Sequence, residues 1–405
     1  MTATFALSSE HDVVPIAAAD SGPLLGTYKR APMEFVRGEG VELFDADGKH
    51  YLDFASGIAV NALGYGDPGM AKVMTDAMAT GLIHTSNLYR TSAGERLAQL
   101  LVDRSFASQV FFCNSGAEAN EAAFKFARRW GRTKGDAKVG IVALRGGFHG
   151  RLFGSLAATD RPSYRAPFRP LAGAISICER DMTELESAVD AETVAAIIVE
   201  PVQGEGGVRV LDKEFLRALR DLAIKRDVLL IFDEIQCGLG RAGTMFAYEA
   251  FGVTPDIVTL AKPLAGGLPM GAVLVTSDIA ATIQPGDHGT TFGGGPFVAA
   301  VAEYVVTRVG DPSLLASVRE NGAWLGEHLA SIARKSGKVR AVRGVGMMWG
   351  LDVVEPANAI VKRGWEEGIL TLTAGDHTLR LLPPLIIERD DLERGVGILE
   401  RIIGS

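Results

Sequence analysis

What most constrains this chain is an alternation, from about residue 61 to about residue 295, of short apolar runs with amphipathic stretches. Val110–Cys113, Val139–Leu144, Ala195–Val199, Val228–Phe232, Ile257–Ala261 and Ala272–Val275 are apolar over four to six residues. Between several of them the apolar residues recur at helical spacing, as in Ala117–Trp130 and Lys213–Lys225. Strands buried on both faces read as continuous Val- and Ile-rich runs, and parallel neighbours need a crossover, usually a helix, between them. The pattern predicts an α/β fold in which a mostly parallel sheet is covered by helices.

The ends read differently. Val41–Phe44 and Tyr51–Phe54 flank Asp47-Gly48, the signature of a hairpin with a D-G turn. From about residue 296 the pattern gives two helices, Pro296–Val309 and Pro312–Ser336, then short strands around Val339–Val354 and Leu379–Leu382. The expected organisation is an N-terminal segment (1–60) packing with the small domain, a large domain (61–295) and a smaller α+β domain (296–405).

Composition narrows the function classes. The formal charge is −8, from 41 basic and 49 acidic residues, and no long basic run occurs, so no nucleic-acid partner is expected. Cys113, Cys178 and Cys237 lie far apart without C-x-x-C spacing, which argues against a disulfide framework or a zinc site. No run of about eighteen apolar residues appears, so no membrane span is expected. Met1–Asp20 has neither the basic start and apolar block of a secretory signal nor an Arg-rich transit pattern. A cytoplasmic enzyme without a metal is the expectation.

In open α/β sheets, ligands sit beyond the carboxyl ends of the strands. After Val110–Cys113 comes Asn114-Ser115-Gly116-Ala117-Glu118, where Ser115 reads as an N-cap and Glu118 as the partner in an S-x-x-E capping box. Such a helix start suits a phosphate, although a well-capped helix alone would look the same. After Val228–Phe232 comes Asp233, a carboxylate at the end of a buried strand that needs a partner, either a protonated pyridine nitrogen or an arginine. After Ile257–Ala261 comes Lys262, followed by Pro263, which disfavours helical dihedrals at the lysine and suits a strand end. Desolvated there, its amine would have a lowered pKa fit for imine chemistry; exposed, it would be an ordinary surface lysine.

Two G-x-G-x-x-G matches raise a nicotinamide dehydrogenase as a rival of another class. Gly64-Gly66-Gly69 has no apolar strand before it and contains Pro68. Gly238-Gly240-Gly243 follows a strand, but Asp233–Cys237 intervene and no clear helix start comes after. Both read as turns in a chain with 48 glycines.

Taken in order, GIAVNALG (Gly57–Gly64), FFCNSGAEANEAA (Phe111–Ala123), GGFHGR (Gly146–Arg151), VEPVQGEGG (Val199–Gly207), IFDEIQCGLGR (Ile231–Arg241), TLAKPLAGGLPMGA (Thr259–Ala272), HGTTFGGGP (His288–Pro296) and LRLLPPL (Leu379–Leu385) resemble the class III aminotransferases, which are fold type I pyridoxal-phosphate enzymes. The resemblance runs from about Tyr28 to the C-terminus and is strongest to the acetylornithine branch. It implies that Lys262 holds the cofactor as a Schiff base and, once displaced, moves the substrate proton. Asp233 would pair with the pyridinium nitrogen, Gln236 would approach the ring's phenolic oxygen, and Phe148 and Ile235 would cover its two faces. Ser115, Gly116 and Ala117 would cradle the phosphate. Thr291 would reach the phosphate, and Thr290 the donor, from the other subunit of a homodimer.

For substrates, the resemblance gives Arg151 the donor's remote carboxylate and Arg380 the α-carboxylate of glutamate or 2-oxoglutarate. Glu205 would neutralise Arg380 while the distal-amine donor is bound, and Tyr28 would flank that donor. The implied reaction moves the distal amine of an N2-acylated ornithine, N2-acetyl-L-ornithine foremost, to 2-oxoglutarate. The sister donors are succinylornithine, N-succinyl-diaminopimelate, acetylated or carrier-linked lysine, ornithine and 4-aminobutyrate. Three places depart from the family pattern: Gly294-Gly295-Pro296 where GGNP is usual, Tyr65-Gly66-Asp67-Pro68 in place of a His-rich turn, and Pro263 where Gly is common. None removes a reacting group; they bear on the loops around Thr291.

Overall fold

The computed structural model describes residues 23–404, so residues 1–22 and 405 of the expected terminal segments lie outside it. At the centre is a seven-stranded sheet in the order Gln109–Cys113, Gly271–Val275, Ile257–Leu260, Leu229–Asp233, Val194–Val199, Gly140–Leu144, Ile175–Cys178. Only Gly271–Val275 runs against its neighbours. The connection before it, residues 261–270, is too short for a helical crossover, so the strand can only fold back antiparallel. Ile175–Cys178 was not foreseen. It is a short edge strand whose exposed Ser176 interrupts the apolar run.

All residues of Val194–Val199 and Leu229–Asp233 are buried. Alternate residues serve opposite faces: Leu229 and Ile231 pack with Phe126 of the helix Gly116–Arg132, while Leu230 and Phe232 join the cluster containing Leu216 and Leu219 of the helix Lys213–Lys225. Burial on both faces is why these strands read as unbroken apolar runs. Ala119, Ala122, Ala123 and Ala127, each 0% exposed, let the helix Gly116–Arg132 lie close on the sheet.

The expected hairpin forms between Glu42–Asp45 and His50–Asp53, with Gly48 in the left-handed region (φ 80°). It is widened by two strands not foreseen, Phe35–Glu39 and Ile369–Leu370. In the C-terminal part Pro296–Val309 and Pro312–Ser336 are helices, and Val339–Val345, Met348–Val353, Thr378–Leu381 and Leu372–Thr373 form an antiparallel sheet. The helix Arg389–Gly404 was missed because its glycines lower helix propensity. Packing explains Gly395, where an added Cβ would lie 2.3 Å from the Phe54 ring.

The glycines of Gly238-Gly240-Gly243 make turns. Gly240 and Gly243 have φ near 87° and 88°, and their Cβ positions face Leu385 and Arg319. The next helix, Ala247–Phe251, has only five residues, and the Glu234 carboxylate already accepts from its first N–H groups, those of Ala247 (2.6 Å) and Tyr248 (2.7 Å). No dinucleotide phosphate fits there. Among the described residues, no helix is long and apolar enough to cross a membrane, and no group of three or more His, Cys, Asp or Glu is placed to hold a metal.

Candidate active site

A cavity of about 520 Å³ opens beyond the carboxyl ends of the central strands, a size suited to a small ligand. One wall is the start of the helix Gly116–Arg132. Ser115 is extended (φ −153°, ψ 164°), and its Oγ accepts from the Glu118 N–H at 3.2 Å. The reciprocal half of the expected capping box does not form. The Glu118 carboxylate instead reaches one residue further back, accepting from the Asn114 backbone N–H (2.6 Å) and Nδ2 (3.0 Å). The N–H groups of Gly116 and Ala117, which have no intrahelical acceptor, therefore stay available at the positive end of the helix dipole. Ser115, Gly116 and Ala117 all face the cavity. Gly116 must be small, because a Cβ there would lie 2.9 Å from Ile235 Cδ1 and Cγ2.

Asp233 ends the strand Leu229–Asp233 and is 3% exposed. Its Oδ2 accepts from Asn120 Nδ2 and His149 Nδ1, each at 2.8 Å, and its Oδ1 accepts from the Ile235 N–H at 3.1 Å. With Nδ1 donating, His149 leaves Nε2 buried without a partner among the described residues. Asn120 is itself fixed: Nδ2 also donates to the His149 carbonyl (2.7 Å), and Oδ1 accepts from Thr259 Oγ1 (2.8 Å). Behind these lies Glu200, whose oxygens accept from the Phe148 N–H (2.8 Å) and Gly204 N–H (3.1 Å). Burial pushes its carboxyl up to about 7.

Sequence reasoning missed Asn120, His149, Glu200 and Thr259 as parts of the site. Each carried a signal. Asn120 is a polar residue within the buried alanine stripe, Thr259 is the one hydroxyl in Ile257–Leu260, Glu200 directly follows a wholly apolar strand, and His149 neighbours Phe148.

Lys262 departs from the expected strand end. The strand stops at Leu260, and Lys262 opens a short 3-10 turn, Lys262–Ala265, in the left-handed region at φ 35°. Pro263 excludes the ordinary helical region for the residue before it, and the turn takes the rarer alternative. A left-handed non-glycine residue costs roughly 1–3 kcal/mol, strain of the kind that collects at functional sites. The half-buried amine has no hydrogen bond or ion pair among the described residues. Desolvation pushes its pKa down, opposed by the charges of Asp233 and Glu205 and reinforced by that of Arg380. Both Lys262 and Asp233 face the cavity.

On the far side, the C-terminal strand Thr378–Leu381 delivers Arg380, which is 2% exposed. Its Nη1 donates to Glu205 Oε1 at 2.5 Å and to Gln236 Oε1 at 3.1 Å, while its Nε stays buried without a partner among the described residues. Arg151 lies at the exposed rim with its guanidinium 4.5 Å from the Tyr164 ring centre and no ion pair among the described residues. Phe148, Ile235 and Tyr28 face the same cavity, Tyr28 from an exposed position. Thr290 and Thr291 do not. They border neighbouring clefts, and the Thr290 hydroxyl accepts from Asn114 Nδ2 at 3.0 Å.

A free desolvated amine, a carboxylate fixed by three donors and a helix N-terminus thus converge on one cavity. The family model "Aminotransferase class-III" matches residues 26–403. The chain belongs to the class-III aminotransferases. The mitochondrial acetylornithine aminotransferase of Alnus glutinosa is 46% identical over 93% of this chain and 84% of its own length. The crystal structure of the N-acetylornithine aminotransferase from Stenotrophomonas maltophilia superposes with a TM-score of 0.81 at 36% identity, covering 92% of this chain and 96% of that one. An ornithine aminotransferase of Toxoplasma gondii, its active site partly occupied by pyridoxal phosphate, gives 0.89 at 29% identity over 94% and 92%.

Class-III aminotransferases depend on pyridoxal phosphate, and the residues present fit it. The uncovered N–H groups suit its phosphate, the Asp233 carboxylate its ring nitrogen, and the unpartnered amine of Lys262 its aldehyde.

Proposed function

We propose that this class-III aminotransferase moves the distal amine of an N2-acylated ornithine, N2-acetyl-L-ornithine foremost, to 2-oxoglutarate. The products are N-acetyl-glutamate semialdehyde and L-glutamate, a step of arginine biosynthesis. The observation that carries this reading is the buried Arg380 with Glu205 over it, on the same cavity as Lys262. An enzyme that alternates between a donor whose reacting amine is distal to its carboxylate and one whose reacting amine sits beside it needs a guanidinium that can be covered and uncovered. The acetylornithine aminotransferases among its relatives support the choice of donor.

Pyridoxal phosphate, when bound, supplies an aldehyde that takes up the amine and a ring that accepts the electron pair freed when the substrate carbon loses its proton. The chain does the rest. Ser115, Gly116 and Ala117 hold the phosphate by main-chain and hydroxyl groups. Phe148 and Ile235, which line the same cavity, would cover the ring and keep out water. Asp233, its carboxylate fixed by three donors, would pair with the protonated ring nitrogen, and Gln236 would lie towards the phenolic oxygen. Lys262 would hold the cofactor's aldehyde and, once released, would take and return the proton at the substrate carbon, a task suited to an amine whose pKa burial has lowered. Arg151 takes the donor's remote carboxylate beside Tyr28, and Arg380 takes the α-carboxylate of glutamate once Glu205 turns away. Guanidinium forks suit both carboxylates.

Thr290 and Thr291 act in the other subunit of a homodimer. That part of the reading is supported by their place outside their own chain's cavity, beside exposed Phe292 (66%), Leu88 (89%) and Tyr89 (71%). Sedimentation at equilibrium tests it, with twice the chain mass expected. The division at about residues 60 and 295 and a cytoplasmic location belong to the same proposal.

Steady-state rates with acetylornithine, succinylornithine, N-succinyl-diaminopimelate, acetyl-lysine, ornithine and 4-aminobutyrate, each with 2-oxoglutarate, test the donor. Acetylornithine is expected to have the highest kcat/KM; a preference for 4-aminobutyrate refutes the reading. Free ornithine is the second reading, supported by the likeness to the Toxoplasma gondii enzyme.

A further inference from the structure

Glu205 lies in the turn between two short strands, Val202–Gln203 and Arg209–Val210. Three successive carbonyls of this turn each accept from a different arginine. Arg161 Nη2 donates to Glu205 O, Arg209 Nε to Gly206 O (3.0 Å) and Arg343 Nε to Gly207 O (2.6 Å).

Arg343 does more than hold a carbonyl. Its two terminal nitrogens form a fork with Asp352 (2.6 and 2.7 Å), and Nη2 also reaches Thr378 Oγ1 at 3.2 Å. Thr378 in turn donates to Asp352 at 2.7 Å and stands two residues before Arg380 on the strand Thr378–Leu381.

The backbone is shaped around this contact. Gly207 sits at φ 103°, and a Cβ on it would lie 3.1 Å from Arg343 Nη2. Val208 is fully buried, and its Cβ lies 2.9 Å from where a Cβ on Gly350 would be. Gly350 is the register partner of Arg380. The main chain of the turn is therefore fastened to the sheet that carries Arg380, while the Glu205 side chain remains 29% exposed.

We propose that Arg343 is a positioning residue: by clamping the Gly207 carbonyl to that sheet, it sets the reach of the Glu205 carboxylate to Arg380 and biases the site towards the distal-amine donor. The inference rests on the reading that Glu205 covers Arg380 in one half-reaction and leaves it in the other. With the turn fixed, the gate is a side-chain rotation. With the turn loosened, the Glu205–Arg380 pair holds less well, and an incoming carboxylate displaces it more easily.

The test uses the holoenzyme with Arg343→Gln, Asp352→Asn and Glu205→Gln, alone and combined. Single-turnover absorbance gives kcat/KM for the half-reactions with acetylornithine and with glutamate, and calorimetry gives the Kd of glutarate, a dicarboxylate without an amine. Arg343→Gln is expected to lower the ratio of donor to glutamate half-reaction about fivefold and to tighten glutarate by a similar factor, with no further effect in the Glu205→Gln background. Asp352→Asn is expected to move both readouts the same way, and it carries the test if Arg343→Gln does not fold. A proportional loss in both half-reactions with glutarate unchanged overturns the proposal. So does an effect that persists undiminished in the Glu205→Gln background. If Glu205→Gln alone moves neither readout, the Glu205 reading itself is wrong and the role of Arg343 falls with it.

Discussion

Replacing Asn120 by alanine tests whether the network under Asp233 is as tightly built as its geometry shows. Asn120 is 0% exposed and makes three hydrogen bonds: to the Asp233 carboxylate, to the His149 carbonyl and from the Thr259 hydroxyl. The substitution removes one donor from a carboxylate and strands two neutral buried groups. Bonds to charged groups contribute about 1.5–3 kcal/mol and each stranded neutral group costs about 1 kcal/mol or more, so a loss of about 4 kcal/mol is expected. Part of that loss is attributable to Thr259. Thr259→Val removes the stranded hydroxyl, so adding it to Asn120→Ala is expected to cost about 1 kcal/mol less than it does in the native background. Urea unfolding of the cofactor-free protein, with the two single variants and the double, measures both quantities. A loss below about 1 kcal/mol for Asn120→Ala, or full additivity with Thr259→Val, refutes the account of this network.

Two further expectations follow from the same geometry. Gly116→Ala pushes a Cβ against Ile235 at the phosphate cradle, so the cofactor Kd is expected to rise about tenfold, in line with overpacking costs of about 1–3 kcal/mol, while the fold survives; an unchanged Kd by absorbance titration contradicts the cradle. Burial pushes the Glu234 carboxyl up to about 8 from its ordinary 4.5, so folding takes up a proton between those values and stability falls as pH rises through that window, by at most about 1.4 kcal/mol per pH unit. Glu234→Gln is expected to be less stable at every pH, because the Ala247 or Tyr248 N–H loses its acceptor, yet to show a flatter pH curve. Parallel curves for variant and native protein refute the assignment.

How much of this was legible in the sequence follows the range of the interactions. The central strands were legible because burial on both faces leaves unbroken apolar runs, and the helices Pro296–Val309 and Pro312–Ser336 because proline and apolar spacing mark them locally. The reversed strand Gly271–Val275 depended on connection length, and Ile175–Cys178 was hidden by alternation at an edge. At the site, Lys262, Asp233 and Ser115 announced themselves as polar residues after apolar strands. Arg380 and Glu205 entered only through the resemblance. Arg380 lies on a strand from a different sheet, and its pairing with Glu205 spans 175 positions. The side chains behind Asp233 stayed silent because Asn120, His149 and Thr259 meet only once the helix lies on the sheet. The backbone at Lys262, left-handed rather than extended, shows that proline excluded one region without selecting the next.

The most direct measurement is borohydride reduction of the purified protein loaded with pyridoxal phosphate, followed by peptide mapping. One reduced pyridoxyl group per chain is expected, on the peptide containing Lys262, with the label absent and turnover abolished in Lys262→Ala. A label on another lysine, or turnover that survives the substitution, contradicts the assignment of the amine on which the rest of the account depends.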